Sequence, residues 1–151
     1  MNKLLHAVTG KHATTQQVAR PSFGAKPAND RVLRKSAFAQ VNNLVLDASI
    51  GIYQHERDVK QPITISVEVE IKLPEYGQVR AVNDVYNYEF IVDNAKAIIA
   101  EGHINLLETF ADRLAGKCME NDKILSMMVR VAKTQALPET ESVEFKANYT
   151  R

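Results

Sequence analysis

A strict alternation of apolar and polar positions runs through the middle of this chain. Apolar residues recur at every second position from Ile63 to Leu73, mostly with polar or charged residues between them, and Pro74 ends the run. Side chains of a strand point alternately to its two faces, so this period predicts a strand with one buried and one solvated face. Weaker alternation predicts three more strands, over 39–53, Leu125 to Lys133 and 143–149.

Two segments between these strands have helical spacing instead. In the first, Ile91, Ala95, Ile98 and Ile99 fall on one face of a helix, and Gly102 follows as its expected end.

The second helix is predicted to start behind Asn105, a typical N-cap residue, with Glu108 at the third position after it. Its apolar residues form an unbroken stripe: Leu107, Phe110, Ala111, Leu114, Ala115 and Cys118. Cys118 lies on this stripe, so a place in the core is favoured over a role as nucleophile.

The elements follow one another as β-β-α-α-β-β. A charged break at 54–62 separates the first two strands, and a loop at 75–87 precedes the helices. We therefore predict an α+β domain, with an antiparallel sheet and both helices on one face. Such a sheet has open edges, and pairing of neighbouring subunits into a closed ring would remove them.

Composition narrows the function classes. The chain has 151 residues, 45% of them hydrophobic and 25% charged, which is ordinary for one globular domain. A net charge of +1 argues against binding nucleic acid through bulk charge, and no apolar run is long enough to span a bilayer. A single cysteine excludes an intramolecular disulfide and a cysteine zinc cage, which favours the reducing cytoplasm.

The first 37 residues differ from the rest. They hold seven Lys or Arg and one acid, against 12 basic and 17 acidic residues in the remainder. They lack periodicity, so we predict a basic, disordered extension at 1–37 before a domain at 38–151. A transit peptide and a basic arm for an acidic partner are the alternatives.

Several catalytic motifs are absent from the sequence. The four histidines have no paired metal-ligand spacing, and neither a P-loop, a Gly-x-Gly-x-x-Gly motif nor a Gly-x-Ser-x-Gly elbow occurs. We expect no metal site.

Four polar residues remain as candidates, each with a plain alternative. Glu108 could accept paired hydrogen bonds from an amino-pyrimidinone edge, or could simply favour the helix dipole. Lys133 could transfer protons, or could be a strand-end lysine that snorkels to solvent. Tyr88 could be helix-entry packing, and Glu56 a solvated surface acid.

The segments around these four residues resemble dihydroneopterin aldolases. Residues 51–56, Gly-Ile-Tyr-Gln-His-Glu, resemble the family's Gly-x-x-x-x-Glu turn, and residues 85–88 resemble its tyrosine-bearing helix entry. Residues 105–114 resemble its Leu-Leu-Glu motif, and residues 129–133 resemble its lysine-bearing strand end. Lys133 is followed by Thr-Gln-Ala-Leu-Pro instead of the more usual proline.

The resemblance implies a tunnelling fold whose subunits form a ring of four, with two rings often stacked into an octamer. It implies cleavage of 7,8-dihydroneopterin in folate biosynthesis, at subunit interfaces and without a cofactor. The implied catalytic residues are Lys133, Glu56 and Tyr88, the last reaching in from a neighbouring subunit. The implied substrate-binding residues are Glu108, Leu107, Tyr86 and Ile52.

Two other functions stay open at this point. A 2′-epimerase of dihydroneopterin or its triphosphate would use the same residues, and a triphosphate specialist would carry extra cations, for which Arg57, Lys60 and Lys123 are candidates. The other alternative is a non-catalytic ring that binds a pterin.

Overall fold

The computed structural model describes residues 36–57, 59–72 and 87–151. Its strands form one antiparallel sheet in the order β1-β2-β3-β4. The strands are β1 (Phe38–Ala48), β2 (Gln61–Ile71), β3 (Ile124–Lys133) and β4 (Val143–Thr150). The helices are α1 (Gln54–Arg57), α2 (Glu89–Ala100) and α3 (Leu107–Met119). The predicted α+β class and β-β-α-α-β-β order are confirmed, and the four-residue helix α1 is an addition.

The core lies between the sheet and the two long helices. α3 packs on β3 and β4, and α2 packs on α3 and β1. The predicted stripe of α3 is buried along its whole length, as are Ile91, Ala95 and Ile98 of α2. The alternating positions of β2 from Ile63 to Ile71 are buried on the same side. Burial raises the pKa of Cys118 to about 11, so its thiol is a core group.

The first strand is shorter than predicted. It ends at Ala48 instead of residue 53, because the chain leaves the sheet at Ile50, which forms a parallel bridge to Ile104. A bulge between Val41 and Leu44 also adds a residue to β1, and Asn43 there has φ 55°.

A second bulge changes the phase of β3. Glu70 pairs with Ser126 but Ile71 pairs with Ile124, so Leu125 is the extra residue. Leu125 is therefore exposed, whereas the sequence pattern placed it on the buried side, and Ile124 is buried instead.

The start of α3 also differs from the prediction. Leu106, with extended backbone, precedes the first helical residue, so Asn105 is not the N-cap. Glu108 is consequently the second residue of α3, where a carboxylate still complements the positive end of the helix dipole.

Three predicted features lie wholly or mostly outside the described residues: the extension at 1–37, the loop at 75–87 and the candidate Tyr86. Within the described ranges, no helix combines the length and the apolar character that a membrane crossing needs.

Candidate active site

A tight turn between β1 and β2 carries Glu56. Gly51 has φ 145°, a conformation that residues with a side chain rarely adopt. After this turn the short helix α1 begins, and the Glu56 N–H donates to the Tyr53 carbonyl at 3.0 Å. The Glu56 side chain folds back against Gly51, and its Oε2 accepts a hydrogen bond from the Tyr53 N–H at 3.1 Å.

The structure joins two of the predicted catalytic residues. Lys133 Nζ lies 2.7 Å from Glu56 Oε1, although the two residues are 77 positions apart. The side chains are only 15% and 10% exposed, respectively. Lys133 is the last residue of β3 and pairs with Ile63 of β2. It therefore lies on the core-facing side of the sheet, at the end of the strand. Both are therefore held by the scaffold and shielded from bulk water.

The Glu56 carboxylate is stabilised as an anion. Burial alone raises the pKa of Glu56, but hydrogen bonds from Lys133, the Tyr53 N–H and Gln61, with the charge of Lys133, outweigh it. The pKa of Glu56 consequently lies below its usual value of 4.5. At neutral pH Glu56 is therefore a carboxylate, held beside the Lys133 side chain.

Gln61 completes this cluster and was not predicted. Its Nε2 donates to the Ile50 carbonyl at 2.7 Å and to Glu56 Oε1 at 3.3 Å. A signal was present in the sequence: Gln61 occupies the same phase as Ile63 and Ile65, so it is a polar residue on the core-facing side of β2. Such a side chain needs a polar partner, and Glu56 supplies it.

The start of α3 is fastened to the turn that carries Glu56. The Gly51 N–H donates to the Ile104 carbonyl at 2.9 Å, and the Ile104 N–H donates to the Ser49 carbonyl at 2.9 Å. Leu107 and Glu108 follow three and four residues after Ile104. Leu107 is 8% exposed and contributes to the core, whereas Glu108 is exposed. The carboxylate of Glu108 is thus accessible to a ligand.

His103, also not predicted, adds a side-chain link to this junction. Its Nε2 lies 2.8 Å from the Gly51 carbonyl, and its Nδ1 lies 2.8 Å from Ser49 Oγ. Ser49 Oγ in turn lies 2.9 Å from the Arg57 carbonyl at the end of α1. No pattern in the sequence marked this residue, because both partners lie more than fifty positions away.

Tyr88 is not part of this cluster within one chain. It precedes α2 and is 60% exposed, whereas Gly102 and His103 follow the other end of the helix. Twelve helical residues at 1.5 Å each separate these ends by about 18 Å. Ile52, in contrast, lies beside Gly51 in the turn and is 56% exposed.

Two other features of the described part of the chain bear on function. No group of three or more His, Cys, Asp and Glu side chains in the described ranges is arranged to hold a metal ion. An open cleft involves Glu68, Glu70 and Met128 on the solvated side of the sheet. It includes none of the predicted site residues.

Comparison with known proteins assigns this chain to one family. A family model described as dihydroneopterin aldolase (FolB) matches residues 39–148. The dihydroneopterin triphosphate 2′-epimerase of Escherichia coli (strain K12) is 24% identical over 116 residues, which are 77% of this chain and 97% of that protein.

Solved structures have the same fold. A crystal structure described as a putative dihydroneopterin aldolase (FolB) from Vibrio cholerae gives a TM-score of 0.70 at 22% identity, over 76% of this chain and 98% of that chain. The Escherichia coli dihydroneopterin aldolase in complex with neopterin gives 0.69 at 16% identity, over 75% and 98%. A Burkholderia dihydroneopterin aldolase bound to guanine gives 0.68 at 20% identity, over 77% and 92%.

Proposed function

Because this chain belongs to the dihydroneopterin aldolase family, we propose that the Glu56–Lys133 cluster carries out a retro-aldol cleavage in folate biosynthesis. The substrate is 7,8-dihydroneopterin, and the products are 6-hydroxymethyl-7,8-dihydropterin and glycolaldehyde. The C6=N5 imine of the pterin ring accepts the electron pair of the broken carbon–carbon bond. The protein must therefore supply orientation and proton transfers.

The observation that carries this proposal is the shielded ion pair of Lys133 and Glu56, 2.7 Å apart. Lys133, directly or through a water, takes the proton of the 2′-hydroxyl as the bond breaks. To accept this proton Lys133 must be a neutral amine, whose own proton has gone to solvent; substrate that displaces water favours the neutral form, whereas the adjacent Glu56 carboxylate favours the charged one. Glu56 holds the hydroxylated side chain of the substrate near Nζ.

Glu108 is proposed as the anchor for the pterin ring. Its carboxylate accepts hydrogen bonds from the ring N–H and NH2 groups, while Leu107 and Ile52 supply apolar walls. Two relatives were crystallised with guanine and with neopterin, which share this amino-pyrimidinone edge. The exposure of Glu108, four residues after the Ile104 that bonds the turn, supports this role.

Tyr88 is proposed to enter the site from a neighbouring subunit and to help protonate the enamine carbon left after cleavage. The length of α2 supports this, since it keeps Tyr88 of the same chain about 18 Å from the Gly51 turn along the helix. Among the described strands, β1 and β4 are the edge strands of the sheet and offer backbone groups for pairing between copies. We therefore propose a homo-oligomeric ring, as a tetramer or as an octamer of two stacked rings.

A 2′-epimerase is the second candidate function, favoured by the relative of that name. Re-addition of glycolaldehyde to the enamine intermediate would invert the 2′-carbon, so both activities can share one first step. His55, Arg57 and Lys60 lie within five residues of Glu56 and could serve a phosphorylated substrate.

Cytoplasmic location, with a single unpaired cysteine, remains a prediction of the sequence. The same holds for the domain boundary near residue 38.

One assay tests the proposal directly. Purified protein is given 7,8-dihydroneopterin and, separately, its triphosphate, and glycolaldehyde and the 2′-epimer are each quantified. Lys133→Ala is expected to lower turnover by about 10²-fold or more, the usual scale for a general acid–base group, with little change in affinity for a pterin product. Glu108→Gln is expected to lose pterin affinity, at a cost of about 1.5–3 kcal/mol or more.

Matched control variants show whether these losses arise merely from removing a surface charge or disturbing the fold. Lys146→Ala removes an exposed lysine of β4, and Glu120→Gln alters the exposed acid that follows α3. Both should behave as wild type. Wild type that releases neither product from either substrate would refute the proposed function. Normal turnover in Lys133→Ala, with Glu108→Gln inactive, would refute the role of the lysine but agree with Glu108 as the anchor of the pterin ring.

A further inference from the structure

We propose that His103 is a positioning residue, which holds the Gly51 turn so that Glu56 meets Lys133 in the reactive arrangement. This inference rests on the proposed function for its kinetic test but not for its structural one. His103 is the only side chain of the described segment 101–106 that forms a hydrogen bond with the Gly51 turn, and three consecutive contacts connect it to Lys133.

The first contact joins His103 to Gly51. Because a carbonyl oxygen can only accept, the imidazole Nε2 must donate to the Gly51 carbonyl, at 2.8 Å. The Gly51 N–H is already bonded to the Ile104 carbonyl at 2.9 Å. Both backbone polar groups of Gly51 are therefore taken by two consecutive residues of the α2–α3 connection.

The second contact joins Gly51 to Glu56. The Cα of Gly51 lies so near the Glu56 carboxylate that a Cβ at Gly51 would be 2.0 Å from Oε2. A rotation of the Gly51 peptide would thus move the surface on which the carboxylate rests. The third contact is the ion pair of Glu56 with Lys133. A displacement of Gly51 would therefore move the Glu56 carboxylate and, with it, the Lys133 ammonium or amine group that it binds.

The other imidazole nitrogen, Nδ1, contacts a different part of the turn. Nδ1 contacts Ser49 Oγ at 2.8 Å, and Ser49 Oγ lies 2.9 Å from the Arg57 carbonyl. This contact fixes the ring plane and reaches the end of α1, but it does not touch Gly51. The two nitrogens can therefore be tested separately.

Loss of the side chain should spare the fold. The backbone bonds between Gly51, Ile104 and Ser49 do not involve this side chain, and Ile50 and Ile104, 0% and 2% exposed, anchor the junction in the core. Glu108 follows Ile104 on this retained backbone, so pterin binding should also survive. The expected defect is in kcat, because a small misplacement of reacting groups can lower the rate by up to about 10²-fold.

The experiment compares His103→Ala, His103→Gln and His103→Asn in the full chain. The amide of Gln places its nitrogen near the position of Nε2, and that of Asn near Nδ1. We expect His103→Ala and His103→Asn to lower kcat by about 10-fold or more with Kd for 6-hydroxymethyl-7,8-dihydropterin unchanged, and His103→Gln to recover most of kcat. In a Glu56→Ala background, His103→Ala should cause no further loss, because it acts through that carboxylate.

A second measurement needs no turnover. The Tyr53 amide donates to Glu56 Oε2, so its hydrogen exchange reports whether the turn still holds the carboxylate. Exchange at Tyr53 should be about 10-fold faster in His103→Ala and His103→Asn than in wild type or His103→Gln. If wild type lacks aldolase activity, the proposed function fails, and this exchange pattern alone decides the role of His103.

Three results would overturn the inference. Wild-type kcat and wild-type Tyr53 exchange in His103→Ala would show that the contact positions nothing. Equal loss in the Gln and Asn variants, with lower thermal stability, would show that the side chain only supports the fold. A full additional loss in the Glu56→Ala background would show that it acts by a separate route.

Discussion

The Cα of Gly51 and the carboxylate of Glu56 are in direct contact, and a Cβ at Gly51 would lie 2.0 Å from Oε2 and 2.4 Å from Oε1 of Glu56. The absence of a side chain at Gly51 thus serves two purposes. It permits φ 145°, and it leaves room for the carboxylate that binds Lys133. The Gly-x-x-x-x-Glu spacing is explained by this contact, since the turn returns the fifth following residue to the glycine.

A methyl group at Gly51 should therefore displace Glu56. In Gly51→Ala we expect turnover to fall by about 10²-fold or more, because the overlapping atoms belong to the flexible end of a side chain that can move away. Backbone strain should also lower the free energy of unfolding by about 1–3 kcal/mol. Steady-state kinetics and urea unfolding measure the two effects.

Alanine variants of two other glycines separate the effect of backbone strain from the displacement of Glu56. Gly102 has φ 123°, and an added methyl group there would meet no neighbouring atom, so Gly102→Ala measures the loss of stability from strain. Gly116 lies within α3 with open space around it, so Gly116→Ala should keep wild-type turnover. Turnover in Gly51→Ala equal to that of Gly116→Ala would contradict the prediction.

Gln61→Ala should weaken both the turn and the pair. Its amide is bonded to the Ile50 carbonyl and to Glu56, and a partly buried acceptor left unpaired costs about 1–3 kcal/mol. We expect a loss of stability in this range and a drop in turnover of about 10-fold. The control is Gln40→Ala, since Gln40 bonds Glu68 in an exposed position and should change stability by less than about 0.5 kcal/mol. Identical behaviour of the two variants would show that Gln61 has no special role.

The acid sensitivity of the fold should depend partly on Glu56. Its pKa is lower in the folded protein than its usual value of 4.5, so the carboxylate stabilises the fold above that pH. This contribution is lost as pH falls below 4.5 and through the folded-state pKa. The stability difference between wild type and Glu56→Gln should be constant near neutral pH and shrink below 4.5.

Comparison with Glu56→Gln is needed because surface acids also titrate in this range. A hydrogen bond from Lys117 lowers the pKa of Glu101, and one from Arg130 lowers the pKa of Glu144. These contributions are common to both proteins and cancel in the difference. A difference that does not vary with pH between 7 and 3 would count against the ion pair as a source of stability.

Mixed oligomers should test the origin of Tyr88. Subunits with Tyr88→Phe and subunits with Lys133→Ala are each expected to be defective. If a site combines Tyr88 of one subunit with Lys133 of another, exchange of subunits should restore some activity. Light scattering of the wild type checks the ring itself, and a monomer at micromolar concentration would contradict this assembly.

Removal of residues 1–37 should leave catalysis unchanged. The family match begins at residue 39, after most of this extension, and every proposed site residue lies within the match. Kinetics of the shortened chain and of wild type should agree within error. A large loss of turnover on removal would show that the extension contributes to the site or to assembly.

The sequence alone was sufficient where one physical rule acts over a short span. Alternation in β2 and the stripe of α3 determined which sides are buried, because each pattern has the period of its own backbone. The roles proposed for Glu56 and Lys133 came from local motifs, each confined to a few residues.

Only the tertiary structure decided which groups meet. The ion pair spans 77 positions, and the bond from His103 to Gly51 spans 52, so neither leaves a periodic signal. The end of β1 and the exposure of Leu125 were mispredicted for the same reason: a bridge to Ile104 and a bulge opposite Glu70 are decided by partner segments. Local sequence sets the pattern of each element, whereas contacts between distant segments set where the pattern stops and which polar groups are brought together.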